Sequence, residues 1–122
     1  MENRLNIGLS FSGGGYRAAT FDLGALSFLN SIRLEDGSTL LDCVSVLSSV
    51  SGGTIPAMKY MLAQVHKQAV GDMVEELFDF LCNEDLVTRA LREMSTQKAN
   101  PDASLIKIMA GIYDSCLLTM QR

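Results

Sequence analysis

Two glycine- and serine-rich segments, each following a strand-like run and preceding a helical pattern, constrain the fold of this chain most. The first covers residues 12–18 with the sequence SGGGYRA, and the second covers residues 49–54 with the sequence SVSGGT. The apolar runs before them, residues 5–11 and 43–49, predict two β-strands. A helix between them makes the strands parallel, so both segments are expected at the edge where open α/β sheets place their chemistry.

The second segment resembles the hydrolase pattern G-x-S-x-G, with Ser49 in place of the first glycine. Ser51 takes the nucleophile position in this pattern. A sharp strand-to-helix turn exposes the serine and requires small neighbours, and Gly52 and Gly53 meet that requirement. The alternative interpretation is a glycine turn in which the serine only caps the following helix.

The first segment supplies the other part that a serine hydrolase needs. Gly13, Gly14 and Gly15 expose backbone N–H groups without side-chain obstruction, and such groups can bind the oxyanion of an acyl-transfer reaction. The helix that begins near Arg17 turns its partially positive N-terminus toward the same place. The two segments together therefore predict an acyl-transfer site with Ser51 as the catalytic residue.

Over residues 5–62 the chain resembles the patatin-like phospholipases, which carry a G-G-G-x-R/K-G oxyanion motif and a G-x-S-x-G elbow. Ala18 stands for the last glycine of the first motif, and Ser49 for the first glycine of the second. The resemblance implies a three-layer α/β/α fold and hydrolysis of a phospholipid or other acyl lipid, with transient contact to a membrane surface. It places Arg17 beside the oxyanion loop as a supporting residue, the alternative being a solvated side chain. No metal or organic cofactor is implied.

The family's dyad aspartate, found in an Asp-Gly-Gly or Asp-Gly-Ala motif, has no counterpart after Ser51. The Asp36-Gly37 pair precedes the elbow and predicts an ordinary turn. His66, the one histidine, is expected to face solvent too far from Ser51 to serve it. We therefore expect residues 1–122 to form a single, truncated patatin-like domain and a poor hydrolase by itself.

Two other classes of function remain open from the sequence. Gly13, Gly15 and Ala18 satisfy the dinucleotide-binding fingerprint G-x-G-x-x-G/A of a Rossmann-type domain. That fold places an acidic residue at the end of its second strand, whereas Glu35 and Asp36 precede the strand here. The other class is a non-catalytic patatin-like fragment that binds lipid or a partner.

Apolar periodicity predicts a helix-rich C-terminal half. The expected buried stripes are Phe21, Gly24, Ala25, Phe28, Leu29 and Ile32 on the first helix, and Ile55, Met58, Met61, Leu62 and Val65 on the second. Asp72 and Glu75 predict a capping box for a helix ending near Cys82. Further helices are expected over residues 85–94 and from Asn100-Pro101 onward, the last with the stripe Leu105, Ile106, Met109, Ile112, Tyr113, Cys116 and Met120.

Composition restricts the partners and the location. The net charge is −4 without a basic patch, which argues against nucleic acid. Neither a transmembrane segment nor a signal peptide is recognisable, so a cytoplasmic protein is expected. The widely spaced Cys43, Cys82 and Cys116 are expected to be buried reduced thiols rather than disulfides or metal ligands.

Overall fold

The computed structural model describes residues 5–83, 85–96 and 104–115. Along the chain follow β1 (Ile7–Phe11), α1 (Gly15–Ser31), a 3₁₀ turn (Leu41–Cys43), β2 (Val44–Ser49), a second 3₁₀ turn (Ser51–Gly53), α2 (Thr54–Val65), α3 (Val70–Asn83), α4 (Leu86–Thr96) and α5 (Leu105–Tyr113). This is an α/β arrangement with a helix-rich C-terminal half, as predicted.

The two strands pair in parallel, which confirms the expected direction of the chain. Phe11 lies opposite Ser49 at the carboxyl end of the pair, and the Val50 N–H continues the ladder by donating to the Phe11 carbonyl at 3.1 Å. The predicted Asp36-Gly37 turn is also present, with Gly37 in the left-handed region at φ 84°. Both glycine-rich segments therefore leave the sheet side by side.

The described residues divide into two compact units, one ending at Phe78 and the other beginning at Asp79, within α3. In the first unit α1 packs on α2 and on both 3₁₀ turns. In the second unit α4 packs on α5, and the rings of Phe80 and Tyr113 lie 6.4 Å apart between centroids. The organisation of residues 1–122 as a single domain stays a prediction.

The buried face of α1 differs from the predicted stripe. Phe21 and Phe28 are 77% and 65% exposed, whereas the helix buries Ala19, Asp22, Leu23 and Leu26. α1 itself carries apolar residues on nearly every side, so 3.6-residue periodicity does not single out one face. The small side chain of Ala19 allows the close approach of α1 to its neighbours, and this packing selects the face.

The predicted stripe of α2 is wrong for a related reason. Met58, Met61 and Val65 are exposed, and the buried residues are Pro56, Ala57, Lys59, Tyr60 and Ala63. Lys59 is buried because its ammonium group forms a salt bridge of 2.8 Å with Glu76 on α3. A charged residue with a partner 17 positions away cannot be recognised from local periodicity.

The start of α3 and the exposure of Cys82 also differ from the prediction. α3 begins at Val70, so Asp72 lies inside its first turn and the capping box is wrong. Cys82 is exposed rather than buried, because α3 buries the face of Met73, Leu77 and Phe80. Cys43 is half-buried, and both thiols are free.

In the second unit, Asp85 caps α4 by accepting from the Thr88 N–H at 3.1 Å. α5 is capped by Ser104 and buries Ile108 and Ile112, whereas Leu105 and Ile106 are exposed. Asn100, Pro101, Cys116 and Met120 lie outside the described residues.

Candidate functional site

Ser51 occupies the tip of a strand-to-helix turn. It lies two residues after the end of β2, opens the second 3₁₀ turn and is exposed. Its φ of 50° is in the left-handed region, which non-glycine residues rarely adopt and which is found at strained functional turns. A serine in this conformation between a strand and a helix has the geometry of a nucleophile elbow.

The glycine loop, residues 12–15, leads from β1 into α1. Gly14 and Gly15 have φ values of 144° and 61°, conformations that favour glycine. All four residues are exposed, and within the described chain no hydrogen bond engages the N–H groups of Gly13, Gly14 or Gly15. Three free donors therefore lie at the N-terminus of α1, whose dipole favours a negative charge nearby.

The glycine loop and the elbow contact each other directly. A Cβ placed on Gly13 would lie 3.1 Å from the Ser51 Cβ, and one on Gly52 would lie 2.3 Å from the Gly15 carbonyl oxygen. A side chain on Gly52 would overlap the Gly15 backbone, and one on Gly13 would crowd Ser51, so Gly13 and Gly52 allow the two segments to meet. The structure thus brings the nucleophile candidate beside the predicted oxyanion loop.

The other predicted site residues are Gly14, Gly53 and Arg17. A Cβ on Gly14 would meet the Ala18 Cβ at 3.3 Å, which turns that position toward α1 rather than toward Ser51. Gly53 is buried and faces the Ser12 carbonyl. Arg17 is exposed in the first turn of α1 and makes no hydrogen bond or ion pair among the described residues. The supporting role of Arg17 beside the oxyanion loop stays a prediction.

The Ser51 hydroxyl is not bonded to a general base in the described part of the chain. No hydrogen bond there involves the Ser51 hydroxyl. His66 ends α2 as an exposed residue, as predicted, at the far end of that helix from Ser51. The hydroxyl therefore retains its proton, and a serine hydroxyl without a base is a weak nucleophile.

Sequence reasoning missed one polar residue of this region, Asp22. It is 4% exposed on α1, and its Oδ2 lies 2.9 Å from the position of a Cβ on Gly53. The signal that could have identified it is its spacing with Ala19, Leu23 and Leu26, which are the apolar residues of the true buried face. A lone carboxylate in an apolar face is unusual and points to a local role.

One apolar side chain, that of Val50, lies exposed next to Ser51 in the chain. Val50 is 64% exposed, and its Cγ1 would be 3.7 Å from a Cβ on Gly13. Elsewhere, an open cleft of about 630 Å³ lies at the opposite end of the strands, beside Asn6, Asp36 and Asp42. The candidate site is therefore the exposed edge with Ser51 rather than this acidic cleft.

Two further features concern metal binding and membranes. Within residues 5–83, 85–96 and 104–115, no group of three or more acidic, histidine or cysteine side chains could hold a metal ion. None of the helices there is both long and apolar enough to cross a membrane.

Comparisons with protein-family models, with curated proteins and with solved structures find no match to this chain.

Proposed function

We propose that this chain carries the nucleophile and the oxyanion loop of a serine lipid acyl hydrolase, in a three-layer α/β/α fold of the patatin-like type. The observation that supports the proposal most is the position of Ser51, exposed at φ 50° with the free N–H groups of the glycine loop beside it. A strained, exposed serine and unpaired backbone donors are the two parts that acyl transfer requires.

In the proposed reaction the Ser51 Oγ attacks the carbonyl carbon of an ester and loses its proton to a base. The carbonyl oxygen becomes negative and accepts hydrogen bonds from the N–H groups of residues 13–15. The C–O bond to the alcohol then breaks, the alcohol takes the proton, and water releases the acyl group from Ser51. The exposed apolar side chain of Val50 next to Ser51 suits an acyl chain better than a charged substrate.

The dinucleotide-binding alternative is supported less well. A pyrophosphate needs the backbone of the glycine loop to be open for close approach. Here the Gly15 carbonyl lies against Gly52, and Gly13 faces Ser51. The elbow therefore occupies part of the space that a pyrophosphate would need.

A fluorophosphonate ester probe tests the proposal, because it forms a covalent bond with a reactive serine. We expect the purified chain to be labelled slowly and at Ser51, as mapped by mass spectrometry of peptides. The Ser51→Ala variant should carry no label there, whereas Ser49→Ala, two residues earlier, should be labelled like the wild type. Label that persists in Ser51→Ala would contradict the assignment, and a chain without any label would favour the non-catalytic alternative.

Ester turnover should be slow in the same preparation. The Ser51 hydroxyl is not bonded to a base among the described residues, whereas an oxyanion loop alone still supports residual catalysis. Hydrolysis of short-chain p-nitrophenyl esters and of phospholipid vesicles, compared with Ser51→Ala, measures this activity. Fast Ser51-dependent turnover would contradict the expectation and require a base among the residues present.

Gly14→Ala tests the loop independently of the nucleophile. At φ 144° an alanine is strained, and its Cβ would lie 3.3 Å from the Ala18 Cβ, so the loop must turn its N–H groups. Loss of one oxyanion donor lowers rates by about 10²-fold or more. We expect the labelling rate constant of Ser51 to fall by this order while probe affinity stays similar. An unchanged rate constant in a folded variant would make the loop purely structural.

A further inference from the structure

Asp22 carries a buried carboxyl group whose Oδ2 has no hydrogen-bond partner in the described chain. It is 4% exposed, and its Oδ2 has neither solvent contact nor a hydrogen-bond partner in the described chain. The other buried residues of α1 are Ala19, Leu23 and Leu26, whose side chains contain no polar atoms. An ionised carboxylate in such surroundings is strongly unfavourable, so the group requires a proton or a partner.

The carboxyl group lies where three parts of the site converge. A Cβ on Gly53 would be 2.6 Å from the Ser12 carbonyl oxygen, 2.9 Å from the Asp22 Oδ2 and 2.9 Å from the Phe11 Cβ. The glycine loop, the elbow and α1 therefore meet at one point, and both oxygen atoms lie within 2.9 Å of it. The Asp22 carboxyl group and the Ser12 carbonyl therefore border the same side of Gly53, and a protonated carboxyl group there can donate to a carbonyl oxygen.

Charged neighbours do not supply an alternative partner. The elements packed on α1 are the 3₁₀ turn with Asp42 and α2, whose buried Lys59 forms its salt bridge with Glu76. The glycine loop and the elbow contain no ionisable side chain. Burial alone raises the pKa of Asp22, without a contribution from any charge. The other titratable groups on these elements are Tyr16, Arg17, Cys43, Tyr60 and His66.

We infer that Asp22 is a positioning residue that, as a neutral carboxylic acid, donates a hydrogen bond from Oδ2 to the Ser12 carbonyl and holds the glycine loop against the elbow. The inference rests on the proposed function, because the loop matters for chemistry only if Ser51 is the nucleophile. Asp22 itself does not touch the reacting atoms. It acts by keeping the N–H groups of the loop beside Ser51.

The protonation state is tested on the wild-type protein. The ¹³Cγ resonance of Asp22, identified by its loss in Asp22→Asn, should titrate above the ordinary pKa of 3.8. Because the folded-state pKa is raised, the stability that the neutral acid provides is present at low pH and is lost as pH rises from 3.8 through the folded pKa. The unfolding temperature of Asp22→Asn relative to wild type should therefore increase over that range.

The positioning role is tested with two variants that differ in one property. The Asp22→Asn variant keeps a donor for the Ser12 carbonyl, and the Asp22→Ala variant has none. The Val50 N–H donates to the Phe11 carbonyl between the strand ends, and the Gly53 N–H donates to the Val50 carbonyl within the elbow. Both amides should exchange with solvent about tenfold faster in Asp22→Ala, the factor expected for roughly one lost hydrogen bond. Their exchange in Asp22→Asn should stay near the wild-type rate.

Labelling of Ser51 separates this inference from the proposed function. If Asp22 positions the loop, the wild-type labelling rate divided by that of Asp22→Asn should be near one at low pH and fall as Asp22 ionises. A resonance that titrates at or below 3.8, or unchanged amide exchange in Asp22→Ala, would overturn the inference. Absence of label in the wild type, with the expected titration and exchange, would overturn the proposed hydrolase instead.

Discussion

Gly52→Ala is expected to destabilise the protein by roughly 3 kcal/mol and to abolish labelling of Ser51. The new Cβ would lie 2.3 Å from the Gly15 carbonyl oxygen and 2.8 Å from the Gly15 Cα, which are backbone atoms and cannot rotate away. Either the elbow or the glycine loop must move, and both movements separate Ser51 from the N–H donors. Urea unfolding at constant m-value and probe labelling measure the two effects.

Gly24→Ala is the matched control for this substitution. Gly24 lies within α1, and a Cβ there would have no neighbour within 4 Å. Alanine should therefore stabilise the helix by about 0.5–1 kcal/mol and leave labelling unchanged. If Gly52→Ala behaved like Gly24→Ala, the close contact between the glycine loop and the elbow would be wrong.

Glu76→Leu is expected to cost about 3–5 kcal/mol, because it removes the carboxylate that pairs with a buried ammonium group. Lys59 is 2% exposed, and the salt bridge to Glu76 is 2.8 Å long. Gln68 also donates to the Glu76 carboxylate at 2.8 Å, so this substitution breaks two polar contacts. Chemical denaturation of the variant, with Glu75→Leu as an exposed control on the same helix, measures the loss.

The double variant Lys59→Met/Glu76→Leu distinguishes the cost of an unpaired charge from a cost of lost packing. Replacing both partners by apolar side chains is often close to neutral, so most of the lost stability should return. If the double variant were as unstable as the single one, the pair would not be the reason for the loss.

The same pair predicts how stability responds to acid. Burial by itself would raise the pKa of Glu76, but hydrogen bonds from Lys59 and Gln68 and the charge of Lys59 lower it below its ordinary value of 4.5. The stability from this group is therefore complete above pH 4.5 and is lost as pH falls through the lowered folded-state pKa. Glu76→Gln should remove this part of the acid sensitivity in unfolding measurements.

The sheet and the site contacts were the predictable part of this molecule. A strand-like run before each glycine-rich segment and a helix between them led to parallel strands, and parallel strands bring their carboxyl ends together. The position of Ser51 at the turn follows from Gly52 and Gly53, because only small residues fit there. These are local constraints, and they can be recognised in a short stretch of sequence.

The helix faces could not be predicted in the same way. α1 is apolar on nearly every side, so its buried face depends on which neighbours it meets. Asp22 and Lys59 are buried through contacts distant in sequence, with Gly53 and with Glu76. Charged residues are normally placed outside by pattern rules, and only the tertiary partner reverses that placement.

The pairing of Phe11 with Ser49 has a consequence for how this sequence can vary. Adjacent strands lie about 4.8 Å apart, so this pairing alone sets the distance between the loop that follows β1 and the turn that follows β2. A shift of one residue along the ladder would displace Ser51 by about 3.3 Å from its donors. Residues 32–40 connect α1 with the segment before β2, and their number does not change the distance between Ser51 and the glycine loop. Insertions there should be tolerated by the site, whereas a single deletion in the regular part of the ladder, Gly8–Phe11 or Val46–Ser49, should not.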